Sequence, residues 1–293
     1  WPVGSFKASG RREGRWYGPG IFDLKANIPL VTLSLQYLLE REPRLASRFV
    51  LISSPDEEEQ GPASREGVPS LAAGCDVALV FEPPKADGAF KDRRKGVGRV
   101  QVRWTGRATH SGNQYHEGVS ALAAASRLLL AAESRTRAED GFTVNVGIMS
   151  GGSAVNTRPG AAGMTVDVRV TRTEQWEEFL AWLREYRDPG GADMELDVRP
   201  LTPPMSADHA AWAALEAVCG GLGLPYGRGL AGGASDGCHL AARGVKVLDG
   251  LGVAGAGEHA EHEHILLDSL QPTFVRNTML MYDLAAATDG DLA

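Results

Sequence analysis

The chain has 293 residues, 43% apolar and 23% charged, with a net charge of −7 from 30 basic and 37 acidic side chains. That length suggests about two domains and can bury a core without staples. The composition excludes collagen, coiled coil and low-complexity disorder, and the acidic balance argues against a nucleic-acid partner.

The opening, Trp1-Pro2, is followed by no signal-peptide pattern. Residues 1–20 are rich in Gly and charge and read as loop, with Pro19-Gly20 as turn punctuation. Residues 28–39 read as a helix, with Leu30, Leu33, Leu35, Leu38 and Leu39 mostly on one face. Residues 49–52 and 76–81 read as buried strands, each running into acidic residues, with a helix at 64–74 between them. Strands followed by helices, with charge at the strand's C-terminal end, form the α/β pattern, whose ligand sites lie at those ends.

The texture changes near residue 97. Residues 97–105 alternate apolar and polar, as a half-buried strand does. An Ala/Leu-rich helix is expected at 118–133, strands at 142–149 and 162–170, a helix at 173–186 and a strand at 194–198. That order, β-α-β-β-α-β, is a ferredoxin-like split unit. Beyond the Pro-rich stretch at Pro200, Pro203 and Pro204, helices at 208–222 and 235–243, a strand at 245–248 and a helix from Asp268 resume the α/β texture. The expected organisation is therefore an α/β domain in two parts, 1–96 and 203–293, interrupted by a separate domain at 97–202. No apolar run approaches the ~20 residues of a membrane span, so no membrane partner is expected. Cys75, Cys219 and Cys238 have no C-x-x-C spacing, which argues against a disulfide framework and fits a reducing, cytoplasmic compartment without deciding it.

Several residues could carry chemistry. Asp23, between a Gly-Pro-Gly turn and a helix, reads as an N-cap or an acid of a site. Asp56-Glu57-Glu58-Glu59 follows an apolar run directly. It is either a solvated acidic loop or a site where a cation relieves repulsion, one carboxylate ligating while its neighbour acts as base. Glu82 is a second acid at a strand end. His259, His262 and His264 have metal-ligand composition, but spacings of three and two prevent all three from sharing one helix face. His110, Asn156 and Arg169 are either surface decoration or groups that stabilise an oxyanion and fork a carboxylate.

In order along the chain, GPGIFDLK, SPDEEEQGPASR, FEP, TGRATHSG, the GG-x-x-x-N-x-x-P element from Gly151 to Pro159, DVR, GGASD and GLGVAGAGEHAEHEH resemble the two-zinc aminoacylase/carboxypeptidase family of metallopeptidases. The WPVGS opening and FEP look most like its glutamate carboxypeptidase branch. Each motif is weak, but eight in sequence form a specific signal. The resemblance implies a zinc-peptidase-like α/β catalytic domain interrupted by a lid and dimerisation domain. It implies hydrolysis of the amide bond of a small peptide or N-acyl amino acid with a free carboxylate. Two zinc ions per full-length subunit are implied, with cobalt or manganese as alternatives, and a homodimer.

Carried over by motif, Asp23 is the bridging carboxylate and Glu57 the general base. Glu58 and His259 hold the first zinc and Glu82 the second. His110 reaches a neighbouring subunit's site, and Asn156 and Arg169 contact substrate, Arg169 through the terminal carboxylate. The chain also departs from the pattern. Ala26-Asn27 stand where the family has Gly-Gly, and a glycine expected just after the glutamate pair is displaced to Gly61. The gapless register gives Glu57 as base and Glu58 as ligand; a shift of one would give Glu58 and Glu59. The family's His-x-Asp element would precede Trp1, so the resemblance implies an N-terminally truncated sequence. A member that keeps fold and dimer surface without catalysis is the alternative reading.

Overall fold

The computed structural model describes residues 9–287. They divide into two compact units: one holds the chain up to Arg94, Met205–Ala231 and the chain from Ser235, and the other holds Lys95–Pro204 and Gly232–Ala234.

In chain order the first unit begins with strands β1 (Gly10–Arg12) and β2 (Arg15–Tyr17), helix α1 (Asn27–Arg41), short helix α2 (Val68–Leu71), and strands β3 (Val77–Val80) and β4 (Phe90–Arg94). The second unit supplies β5 (Gly96–Thr105), α3 (Ala121–Glu133), β6 (Thr143–Gly151), β7 (Ala161–Val170), α4 (Thr173–Glu185) and β8 (Asp193–Val198). The first unit resumes with β9 (Met205–Ser206), α5 (Ala211–Leu222), β10 (Arg228–Ala231), α6 (Asp236–Ala241), β11 (Lys246–Asp249), β12 (Gly255–Ala256), β13 (His264–Leu266) and α7 (Leu270–Ala286).

The first unit has two sheets. One runs β10-β4-β11-β3, with β9 added against β4; β10/β4 and β11/β3 are parallel, β11/β4 antiparallel. Its core is Phe90, Trp212, Leu215, Cys219, Leu248, Leu251 and Leu280. The other is antiparallel, β1-β2-β13-β12. Residues 10–17 are thus a hairpin rather than loop. Glu13 and Gly14, at φ 50° and 73°, form the two-residue turn, and positive φ at both positions matches the right-handed twist of the strands. Because the turn is Glu-Gly rather than Asn-Gly or Asp-Gly, its sequence signal is weak.

Residues 49–52 are not a strand. No described strand pairs with them, and Val50 and Leu51 stand 58% and 60% exposed. An extended segment without a partner forms no ladder. The buried stripe of α1 also differs from the leucine face. It is Asn27, Val31, Ser34 and Leu38, with Leu33 exposed. Ser34 is small enough for close approach to α7, where Thr278 Oγ1 donates to Ser34 Oγ at 2.8 Å.

The second unit is one antiparallel sheet ordered β6-β7-β5-β8 with α3 and α4. Alternation along β5 and β7 buries Val100, Val102, Trp104, Val166 and Val168. The helices cover them with Ala124, Leu128, Phe179 and Leu183. Among the described residues no helix is long and apolar enough to cross a membrane.

Candidate metal centre

Asp23 sits in the turn before α1 but does not cap it. The helix N-cap is Ala26, with no side-chain cap bond. The Asp23 backbone is held instead by Glu263, 1% exposed, whose carboxylate accepts from Gly20 N (2.6 Å), Phe22 N (2.9 Å) and Asp23 N (3.0 Å). Phe22 packs on Val253 and Ile265 beneath the turn. Asn27, where the resemblance expects glycine, is buried. Its Nδ2 donates to Phe81 O (2.9 Å) and its Oδ1 accepts from Val253 N (3.0 Å), tying the helix start to the segment that carries Glu82.

The four-acid run divides its labour. Asp56 braces its own loop: its carboxylate accepts from Ala63 N (3.0 Å) and Ser64 N (2.8 Å), while Gly61 N donates to Asp56 O (3.0 Å). Glu57 is half-buried beside Asp236, Glu58 and Asp23. Glu58 is exposed, with Oε2 3.3 Å from His259 Nε2. Glu59 is exposed. The displaced glycine has a local cause, because a Cβ on Gly61 would lie 2.0 Å from Asp56 Oδ2. Gly61→Ala is therefore expected to destabilise the protein by about 1–3 kcal/mol, the usual range for overpacking, in urea denaturation. An unchanged midpoint would show that the loop yields freely.

His259 takes a left-handed backbone at φ 61° and presents Nε2 3.4 Å from Asp23 Oδ2. One ligand atom each from Asp23, Glu58 and His259 lie within 4.8 Å of one another. His262 and His264 do not join them. His262 is exposed, and the His264 ring lies against Tyr17 with centroids 5.0 Å apart. Glu82, at the end of β3, is buried and lies outside that trio. Its Oε2 is 3.6 Å from Arg94 Nη2. Arg94 in turn forks Asp249 through Nε and Nη2, both at 2.7 Å.

The remaining expected residues belong to the second unit. His110 Nδ1 accepts from Gly112 N (3.1 Å) and Asn113 N (3.2 Å), which places the proton of the neutral ring on Nε2. Asn156 is its neighbour in that unit, its carbonyl accepting from Ser111 N at 2.9 Å. Arg169 is engaged by Asp167, through Nε–Oδ1 at 2.7 Å and Nη2–Oδ2 at 3.1 Å.

The profile of peptidase family M20/M25/M40 matches residues 1–276. The chain belongs to this family. It is 29% identical over 293 residues to carboxypeptidase G2 of Pseudomonas sp. strain RS-16, covering 96% of this chain and 70% of that protein. Its fold resembles that of aminopeptidase PepT from Bacillus cereus, with a TM-score of 0.65 at 19% identity over 76% of this chain. It also resembles a dinuclear metal binding peptidase of the M20 family from Bacillus subtilis, with a TM-score of 0.58 at 16% identity over 75% of this chain. The M20 chain spans 63% and 60% of those two solved chains, under two thirds of their length.

The donor set of this M20 chain suits a divalent metal ion. Zinc bonds to nitrogen and oxygen at about 2.0–2.2 Å, so tetrahedral ligand atoms stand roughly 3.3–3.6 Å apart. The 3.3 and 3.4 Å separations of His259 Nε2 from the two carboxylates match that edge. They exceed the ~2.7–2.9 Å of a charge-assisted hydrogen bond. Electrostatics point the same way. Burial, then Asp236, Glu58 and Asp23, push the Glu57 carboxyl up to about 8. Burial and Glu58 raise Asp23, and burial raises Glu82 despite Arg94. These acids crowd together without enough positive charge.

A pH dependence follows for the metal-free chain. The folded state keeps a proton on Glu57 that the unfolded state releases above about pH 4.5. Stability is therefore present at low pH and lost as pH rises toward 8. The expected loss between pH 5 and 8 with chelator present is on the order of a few kcal/mol, read from denaturation midpoints. Saturating zinc should flatten the trend. A metal-free chain that becomes more stable toward pH 8 would contradict this account.

Sequence reasoning missed Asp236, Glu263, Arg94 and Asn27. GGASD and HAEHEH flagged the segments of the first two but not their tasks. Arg94 and Asn27 carry no local signal, since Asp249 lies 155 residues from Arg94 and Val253 lies 226 from Asn27.

Proposed function

We propose that this M20 chain belongs to a zinc-dependent hydrolase, a glutamate carboxypeptidase-like exopeptidase that cleaves the amide bond of a small peptide or N-acyl amino acid with a free carboxylate. The observation that carries the reading is the convergence of Asp23, Glu58 and His259, with His259 Nε2 3.4 and 3.3 Å from the two carboxylates, beside the half-buried Glu57. Asp23, Glu58 and His259 would hold one ion, and Asp23 with Glu82 would contribute to a second. When bound, such ions polarise the scissile carbonyl and make water a better nucleophile near neutral pH. Glu57 takes the proton of the attacking water and passes it to the leaving amine.

In the same reading His110 reaches a neighbouring subunit's site and offers an Nε2–H to the developing oxyanion there, and Asn156 contacts the substrate. Arg169 receives the substrate carboxylate and shares its guanidinium with Asp167. A homodimer through the second unit fits the edge position of β6, where Ile148 is 66% exposed, and the outward Leu130 of α3 at 70%.

The test is an assay of the zinc-loaded full-length protein on N-acyl glutamates and dipeptides, each also with its terminal carboxylate amidated. Chelator-sensitive cleavage of the free acids alone supports the proposal. Zinc binding without cleavage of any of them would replace it with a non-catalytic family member.

A further inference from the structure

We infer that Asp236 is a positioning residue, which sets the Glu57–Glu58 loop over the metal centre by clamping both ends of that loop. The inference rests on the proposed role of Glu57 and Glu58. Asp236 Oδ2 accepts from Ser54 Oγ at 2.8 Å, and Asp236 Oδ1 accepts from Ser64 Oγ. Ser54 precedes the four-acid run and Ser64 follows it, so one carboxylate grips the chain on either side of the loop. Within the loop, Asp56 already fixes the internal shape through Ala63 N and Ser64 N. That brace makes the loop a unit but does not place it. The outside anchor comes from Asp236, 182 residues along the chain from Ser54.

Asp236 is itself held. It opens α6, whose N-cap is Ser235. Ser235 Oγ accepts from Gly237 N at 3.2 Å and donates to Asp249 Oδ2 at 2.8 Å, and Asp249 is locked to Arg94. Capping is thus performed by Ser235, and the Asp236 carboxylate is left for the two serines. A rigid line runs from the buried Arg94–Asp249 pair through Ser235 to the loop that presents Glu58 to His259. Groups that hold metal ligands in place typically govern metal affinity by ~10–100-fold, and Asp236 acts on Glu58 through the two ends of its loop.

The geometry separates a clamp from a charge effect. An asparagine at 236 can accept from one serine hydroxyl and donate to the other, because a hydroxyl does both. An alanine can do neither. The test measures zinc affinity by competition with a chromophoric chelator, alongside amidase activity and thermal melts. Asp236→Ala is expected to weaken zinc binding by ~10–100-fold, and Asp236→Asn to stay within about threefold of the parent chain. If Asp236→Ala does not fold, the Ser54→Ala/Ser64→Ala double variant removes both arms of the clamp and is expected to lose zinc affinity to the same degree. Parent-like zinc affinity in the variant without either arm would overturn the inference. So would an Asp236→Asn as impaired as Asp236→Ala, since charge rather than geometry would then be at work. A parent chain that binds zinc but cleaves nothing would instead sink the proposed function and leave the clamp to be judged on zinc affinity alone.

Discussion

Glu57→Gln is expected to lower amide hydrolysis by ~10²–10⁴-fold, the usual contribution of a general base, while zinc affinity stays close to that of the parent chain. The carboxamide keeps the size and half-buried seat of the glutamate but cannot take a proton. Glu57 lies outside the Asp23–Glu58–His259 trio, so its loss removes no member of that trio. Glu58→Gln is expected to do the reverse, losing zinc and activity together. Turnover and bound zinc measured on the same preparations separate the two residues. Suppose Glu57→Gln keeps most activity while Glu58→Gln abolishes catalysis with zinc retained. The base is then Glu58, and the register has slipped by one.

Asp249→Ala is expected to cost about 3–5 kcal/mol, the range for stripping one partner from a buried ion pair, read from urea or guanidinium denaturation. Asp249 is fully buried and Arg94 only 3% exposed, so the guanidinium loses two 2.7 Å bonds, keeps Glu82 at 3.6 Å and has little water to replace what is lost. Ser235 would also lose its acceptor. At roughly 2–4 °C per kcal/mol for a chain of this size, the melting temperature should fall by on the order of 10 °C. Arg94→Met should cost at least as much, because it takes the guanidinium from two buried acids, Asp249 and Glu82, at once. A loss under 1 kcal/mol in either variant would mean that water reaches the pair.

Where an element buries one face against its own neighbourhood, its pattern was legible. The alternation at Val100, Val102 and Trp104 and the spacing of Trp176, Phe179, Leu180 and Leu183 match the buried faces of β5 and α4. Those faces follow from side-chain periodicity alone. The reading failed at residues 49–52 and at the hairpin 10–17. In both, the outcome turned on partners: no strand among the described residues pairs with Val50 and Leu51, whereas β13 pairs with β2. Apolar character records a wish to be buried, whereas a ladder needs a second backbone.

The candidate site divides in the same way. Amino-acid order alone determined family membership and nominated Asp23, the acid run, Glu82 and His259, because each chemical group is spelled out locally. Only the tertiary structure told the four adjacent carboxylates apart. Asp56 turns back to brace its loop, Glu57 is half-buried beside Asp236, Glu58 meets His259, and Glu59 stays in water. Adjacent acids are chemically alike in sequence. They become different only when His259, Asp236 and Arg94 arrive from distant parts of the chain and give each carboxylate its own field and its own partner.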